Sequence, residues 1–140
     1  MEEDIVEREL FIAAPPATVF EFFRDPALLV LWLGRGKILD VRPGGAFRVE
    51  VSDGNVASGT YTVVDPPRRI AFTWGWEMQN FADAQLPPGA SLVEIELEPK
   101  DGGTLVRLRH SGLPDTMLGM HGDRWGRYLQ RLRSACATPR

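Results

Sequence analysis

The sequence predicts a single α+β domain: a curved antiparallel sheet of about six or seven strands, wrapped around a long C-terminal helix. Three observations carry that expectation. From residue 38 onward, short stretches of alternating apolar and polar residues are separated by turn signals such as Pro43-Gly44-Gly45, Asp53-Gly54-Asn55 and Asp101-Gly102-Gly103. After Pro114, apolar residues instead recur every three or four positions, with Leu118, Gly122, Trp125, Leu129, Leu132 and Cys136 on one stripe. Finally, 140 residues suffice for one core without a disulfide or metal staple, and no internal repeat or linker divides them.

Each element follows in order. Residues 5–12 are rich in β-formers, with Val6, Arg8, Leu10 and Ile12 on one face. Ala14-Pro15-Pro16 breaks this strand and opens a short helix that places Val19, Phe20 and Phe23 together. Asp25-Pro26 ends it, and Asp25 can cap a second short helix carrying Leu28, Leu29, Trp32 and Leu33. Strands are then expected at 38–42, around Phe47, Val49 and Val51, around Tyr61 and Val63, and at 70–76. Residues 77–90 show no period and contain Pro87-Pro88-Gly89, so they read as a long loop able to control access to the interior.

The next two strands are the clearest. Val93, Ile95 and Leu97 alternate with three glutamates, while Val106, Leu108 and His110 alternate with Leu105, Arg107 and Arg109. An acidic outer face can thus pair with a basic one. Pro114 starts the last helix, expected to run to about residue 137. Gly122 lies on its inward stripe, where glycine costs roughly 1 kcal/mol against alanine, so a close approach of the sheet or a ligand is expected there.

The densest chemistry sits in Phe72, Trp74 and Trp76, which alternate and therefore project from one face of one strand. Opposite them stand only Ala71, Thr73 and Gly75. Such a row of rings either fills a core solidly or lines a hollow for an apolar molecule. The inward set adds Phe47, Val49, Tyr61, Val93, Ile95, Leu108 and His110 from strands, Leu28, Leu29 and Trp32 from the short helices, and Met117, His121 and Trp125 from the last. A mainly apolar hollow with a few polar groups, here Tyr61, His110, His121 and Arg8, is the usual form of a small-molecule site.

His110 and His121 are the only histidines. They are the weak catalytic candidates, able to act as a proton-transfer pair, and otherwise serve structure or ligand orientation. No carboxylate or cysteine stands near either at ligand spacing, so no metal and no cofactor is expected. Nucleophilic catalysis has no constellation: Ser111 faces away from His110, and Gly34-Arg35-Gly36 lacks the rest of a phosphate loop. The net charge of −3 gives no general attraction to nucleic acid, and the arginines of the C-terminal helix read as a solvated face. One cysteine, an acidic start and no long apolar run suggest a cytoplasmic protein without membrane insertion.

Taken together, several pieces resemble a known family. They are 14–20 (Ala-Pro-Pro-Ala-Thr-Val-Phe), Trp32 with Gly34, 42–47 (Arg-Pro-Gly-Gly-Ala-Phe), 59–61 (Gly-Thr-Tyr), 65–70 (Asp-Pro-Pro-Arg-Arg-Ile), 103–106 (Gly-Thr-Leu-Val) and 110–114 (His-Ser-Gly-Leu-Pro). His121 followed by Trp125, Leu129 and Leu132 completes the set. In this order they resemble the single-domain relatives of the C-terminal domain of the activator of Hsp90 ATPase, within the START-like ligand-binding superfamily. Leu33 and Arg124 depart from the pattern, standing where a second tryptophan and a glycine are usual. The resemblance implies a helix-grip fold and an apolar cavity between sheet and helix, taking a small hydrophobic or aromatic molecule. It also admits a cyclase or hydratase activity using a cavity histidine, and a chaperone partner; an exposed strand edge leaves homodimerisation open as well.

Overall fold

The computed structural model describes residues 5–77 and 86–137. Strand β1 (Ile5–Ile12) leads through helices α1 (Pro16–Arg24) and α2 (Pro26–Leu29) to strands β2 (Arg35–Leu39), β3 (Ala46–Ser52), β4 (Asn55–Asp65) and β5 (Arg69–Trp76). Strands β6 (Ser91–Lys100) and β7 (Gly103–Ser111), a 3-10 turn at Asp115–Met117 and helix α3 (Leu118–Ala137) follow. All seven strands form one antiparallel sheet in the order β1-β7-β6-β5-β4-β3-β2. The run from β2 to β7 is a plain meander, and β1 closes the far edge beside β7. Helix α3 packs against β1, and α1 lies against β6 and β7. This is the α+β helix-grip architecture expected from the sequence.

Local chemistry explains the boundaries. Asp25 caps α2 by accepting a hydrogen bond from the Ala27 N–H at 2.9 Å. Strand β2 covers residues 35–39 rather than the expected 38–42. After Leu39 the chain hooks: the Arg42 N–H donates to the Asp40 carbonyl, the Gly45 N–H to the Arg42 carbonyl, and the Arg42 guanidinium to the Asp40 carboxylate. The backbone is thus bound locally and leaves the ladder. The last helix is preceded by a 3-10 turn because Pro114, with φ −60°, accepts from the Met117 N–H before regular α-helix begins.

The charged hairpin pairs as anticipated, with Glu94 opposite Arg109 and Glu96 opposite Arg107. Within the hairpin, however, Arg107 pairs diagonally with Glu98, while it meets Glu9 directly across the β1–β7 ladder. Arg107 reaches Glu98 at 2.6 Å and Glu9 of β1 at 3.0 Å, tying three strands on the outer face. Gly122 is also accounted for, since a Cβ there would lie 2.6 Å from the Arg8 guanidinium. The sheet does approach the helix at that point, through a side chain. Arg8 itself is exposed and does not enter the interior.

The small outer face of β5 has a comparable reason. A Cβ on Gly75 would collide with the Pro87 carbonyl, so residues 87 and 88 cross directly over the strand. Leu86 then turns inward and is buried, its carbonyl accepting from the Trp76 N–H. Of the access loop read at 77–90, residues 78–85 lie outside the described residues. At its start, Glu77 forms a paired salt bridge with Arg48 of β3 at 2.8 and 2.9 Å.

Candidate functional site

The inner face of the sheet holds a continuous chain of rings. At one end Phe47 of β3 stacks on Phe72 of β5, with centroids 4.3 Å apart and planes 20° apart. Tyr61 of β4 meets both edge-on, at 5.7 Å from Phe47 and 6.1 Å from Phe72. Trp74 continues the chain, 6.0 Å from Phe47 and 6.3 Å from Phe72. From there it touches Trp125 of α3 at 5.3 Å, His110 of β7 at 5.8 Å and Trp76 at 5.5 Å. His121 of α3 closes the far end, 5.4 Å from His110 and 5.9 Å from Trp76. The alternation of β5 supplies three of these rings because residues two apart share a face.

Both histidines are saturated. An indole nitrogen can only donate, so the Trp125 Nε1–H bonded to His110 Nδ1 at 2.9 Å puts the His110 proton on Nε2. That Nε2–H donates to Ser91 Oγ at 2.7 Å, and the Ser91 hydroxyl passes its own proton to the Trp74 carbonyl at 2.7 Å. By the same logic, the Trp76 Nε1–H donates to His121 Nε2 at 3.3 Å, while His121 Nδ1–H donates to the Met117 carbonyl at 2.9 Å. Burial, helped by its neighbour His121, pushes the His110 pKa down to about 3. His121 is also lowered, chiefly by burial and further by Arg124, against the opposing pull of the Met117 carbonyl. Each ring is therefore neutral near pH 7, with both nitrogens engaged.

The opposite end of the ring chain is different. Tyr61 and Trp74 are each only 1% exposed. Yet, among the described residues, the Tyr61 hydroxyl and the Trp74 indole N–H are buried without a hydrogen-bond partner. Native interiors leave few such groups, and each unmet one costs roughly 1–3 kcal/mol. Burial first, and the negative charge of Asp40 second, raise the Tyr61 hydroxyl above its ordinary pKa, so it stays protonated.

The remaining anticipated residues distribute unevenly. Val93, Ile95, Leu108 and Met117 are buried in the common core. Trp32 belongs to the α1–α2 corner: its indole N–H donates to the Phe22 carbonyl at 2.8 Å and its ring meets Phe23 edge-on at 5.0 Å. Sequence reasoning missed Ser91, which anchors His110. The signal was present, since Ser91 stands two residues before Val93 on the inward face and directly opposite Trp74. Arg124, one of the departures from the family pattern, lies 5.8 Å over the Trp76 ring, and Leu33, the other, is buried.

Three described cavities lie outside the ring chain, the smallest, of about 370 Å³, beside Arg68, Glu98 and Pro99. One of about 560 Å³ covers the charged outer face, lined by Glu7, Arg69, Glu94, Glu96, Arg107 and Arg109 among others. Another of about 540 Å³ runs between β1 and α3, lined by Arg8, Gly122, Asp123, Gly126, Arg127, Gln130 and Arg131. Among the described residues, no helix is long and apolar enough to cross a membrane.

A seven-stranded sheet gripping a long terminal helix over an inward wall of rings defines a START-like ligand-binding fold. Residues 13–137 match the model of the family described as activator of Hsp90 ATPase homolog 1-like protein, and the chain belongs to that family. It is 30% identical over 114 residues to an uncharacterised protein of Schizosaccharomyces pombe; this match takes in 79% of the chain but spans only 30% of that protein's length. Among solved structures it is similar to an AHSA1-like protein of Rhizobium etli, at 38% identity and a TM-score of 0.72, over 98% of this chain and 87% of the other. DynU16, a protein of the dynemicin biosynthetic locus, shares the fold at 22% identity and a TM-score of 0.83, over 98% of this chain and 48% of its own.

Proposed function

We propose that the protein binds a small hydrophobic or aromatic molecule between the sheet and α3, against Phe47, Tyr61, Phe72, Trp74 and Trp125. The observation that carries this reading is the pair of unpartnered polar atoms on Tyr61 and Trp74, set in a wall otherwise made of rings. A folded protein that leaves two such groups unmet gives up stability that a guest can restore. Ring burial would supply the driving force, at about 25 cal/mol per Å² before the cost of ordering the guest. The family and its START-like fold support the same reading. An acid–base role for the histidines draws nothing from the geometry, because neither ring has a nitrogen left to exchange a proton.

Titration with N-phenyl-1-naphthylamine, a neutral dye that brightens in apolar surroundings, tests the proposal. Saturable uptake of one dye per chain, with energy transfer from tryptophan and weakening in Phe47→Leu, is the expected result. Trp74→Ala is the wrong variant, since it removes a ring at the centre of the core. Absence of saturable uptake, or uptake indifferent to Phe47→Leu, would contradict the site.

A further inference from the structure

We infer that the guest is a neutral, largely apolar compound bearing a hydrogen-bond acceptor, read by the Trp74 indole N–H and the Tyr61 hydroxyl; this rests on the binding reading above. The two groups flank one stacked ring pair. Tyr61 pairs with Phe72 across the β4–β5 ladder, and Trp74 stands two residues further along β5 on the same face. Diagonal neighbours of this kind lie roughly 7–8 Å apart, with their Cβ atoms somewhat closer, a span that a molecule of two or three fused rings matches.

The chemistry of the two atoms fixes the class. An indole N–H donates and never accepts, so Trp74 calls for an acceptor such as a carbonyl, ether or ring oxygen. Tyr61 can donate to the same oxygen or to a second one. A pure hydrocarbon would leave both groups unmet, and they would remain as costly as in the empty protein. A carboxylate or phosphate would need a cation beside it to offset its own burial. The arginine that touches the ring chain, Arg124, lies over Trp76 at the histidine end. Near Tyr61 the charge felt is that of the Asp40 carboxylate, and the neighbouring Arg42 guanidinium is already ion-paired to it at 2.9 Å rather than free to serve a buried anion. The histidines cannot serve as alternative readers, since their nitrogens already bond Ser91, Trp125, Trp76 and Met117.

Displacement of N-phenyl-1-naphthylamine by three molecules of nearly one shape tests the inference: 9-fluorenone, which offers a carbonyl, fluorene, which offers none, and fluorene-9-carboxylate, which is charged. Wild type should bind the ketone about 5-fold or more tighter than fluorene, with the carboxylate weakest. In Tyr61→Phe and in Trp74→Phe the ratio of ketone to fluorene affinity should fall toward one, whatever the change in the apolar contacts that the two guests share. Equal binding of ketone and fluorene, a preference that survives both variants, or a carboxylate that binds tightest would overturn the inference while leaving the binding proposal standing. Failure of all three to displace the dye would overturn both. A single ordered water bonded to both atoms in the presence of saturating ketone would also overturn it, since the pair would then serve the water.

Discussion

The two ends of the ring chain are built to opposite rules. At the histidine end every polar atom has a partner: Trp125 bonds His110, His110 bonds Ser91, Ser91 bonds the Trp74 carbonyl, and Trp76 bonds His121. At the tyrosine end, rings pack as closely, yet a hydroxyl and an indole N–H have no partner among the described residues. Trp74 belongs to both, its carbonyl satisfied and its side chain not. On the binding proposal, the contrast separates scaffold from site. A closed polar network holds α3 onto β7 and fixes the ring positions, because breaking any link leaves a buried group unmet. The open pair is where the interior still has chemistry to offer.

The largest effect that would break this contrast is at the scaffold. Replacing His110 with alanine strands the Trp125 N–H and leaves a hole, so unfolding free energy in urea should fall by about 3 kcal/mol or more. A loss under 1 kcal/mol would mean the network is not the scaffold described.

Acid sharpens the same point. His110 titrates near 6.5 when unfolded and near 3 when folded, so the unfolded chain binds the extra proton as pH drops. Stability is therefore whole above pH 6.5 and drains as pH falls from there toward 3. Between pH 7.5 and 5, His110 alone should remove about 2 kcal/mol, before most carboxylates begin to titrate. A destabilised but folded His110 variant should lose that slope, and a slope unchanged in it would contradict the assignment.

Tyr61→Phe carries a smaller effect of opposite sign. It deletes an unmet buried hydroxyl and keeps the ring, so the empty protein should gain about 1 kcal/mol, raising its melting temperature by roughly 3 °C. A loss of stability would show that the hydroxyl already has a partner. The smallest effect belongs to the outer face. Arg107 bridges Glu9 and Glu98 while nearly half exposed, and Arg107→Ala should leave the melting temperature almost unmoved and dye uptake unchanged.

Much of this was legible in the sequence because alternation is a local property. Phe72, Trp74 and Trp76 share a face, and His110 points inward next to the outward Arg109, for no reason beyond the strand period. The strand pairing of 91–100 with 103–111 followed from its charges and its Asp-Gly-Gly turn. What could not be read was partnership. Whether an inward histidine is available depends on how α3 docks on the sheet, and only the folded chain brings Trp125 to His110 and Trp76 to His121. Histidine therefore looked the more versatile group on paper, while the atoms left over proved to be a tyrosine hydroxyl and an indole. The partner of Trp32 was illegible for the same reason, because nothing in the local pattern marks the Phe22 carbonyl as its acceptor.

The four tryptophans make the central contrast directly visible. In a proton–nitrogen NMR spectrum with assigned indole signals, titration with 9-fluorenone should move the Trp74 Nε1–H strongly downfield as it gains an acceptor. Trp32, Trp76 and Trp125 already donate, to Phe22, His121 and His110, and their signals should shift little. A Trp74 signal that stays in place while the ketone saturates the protein, or one that moves no more than the other three, would contradict the account.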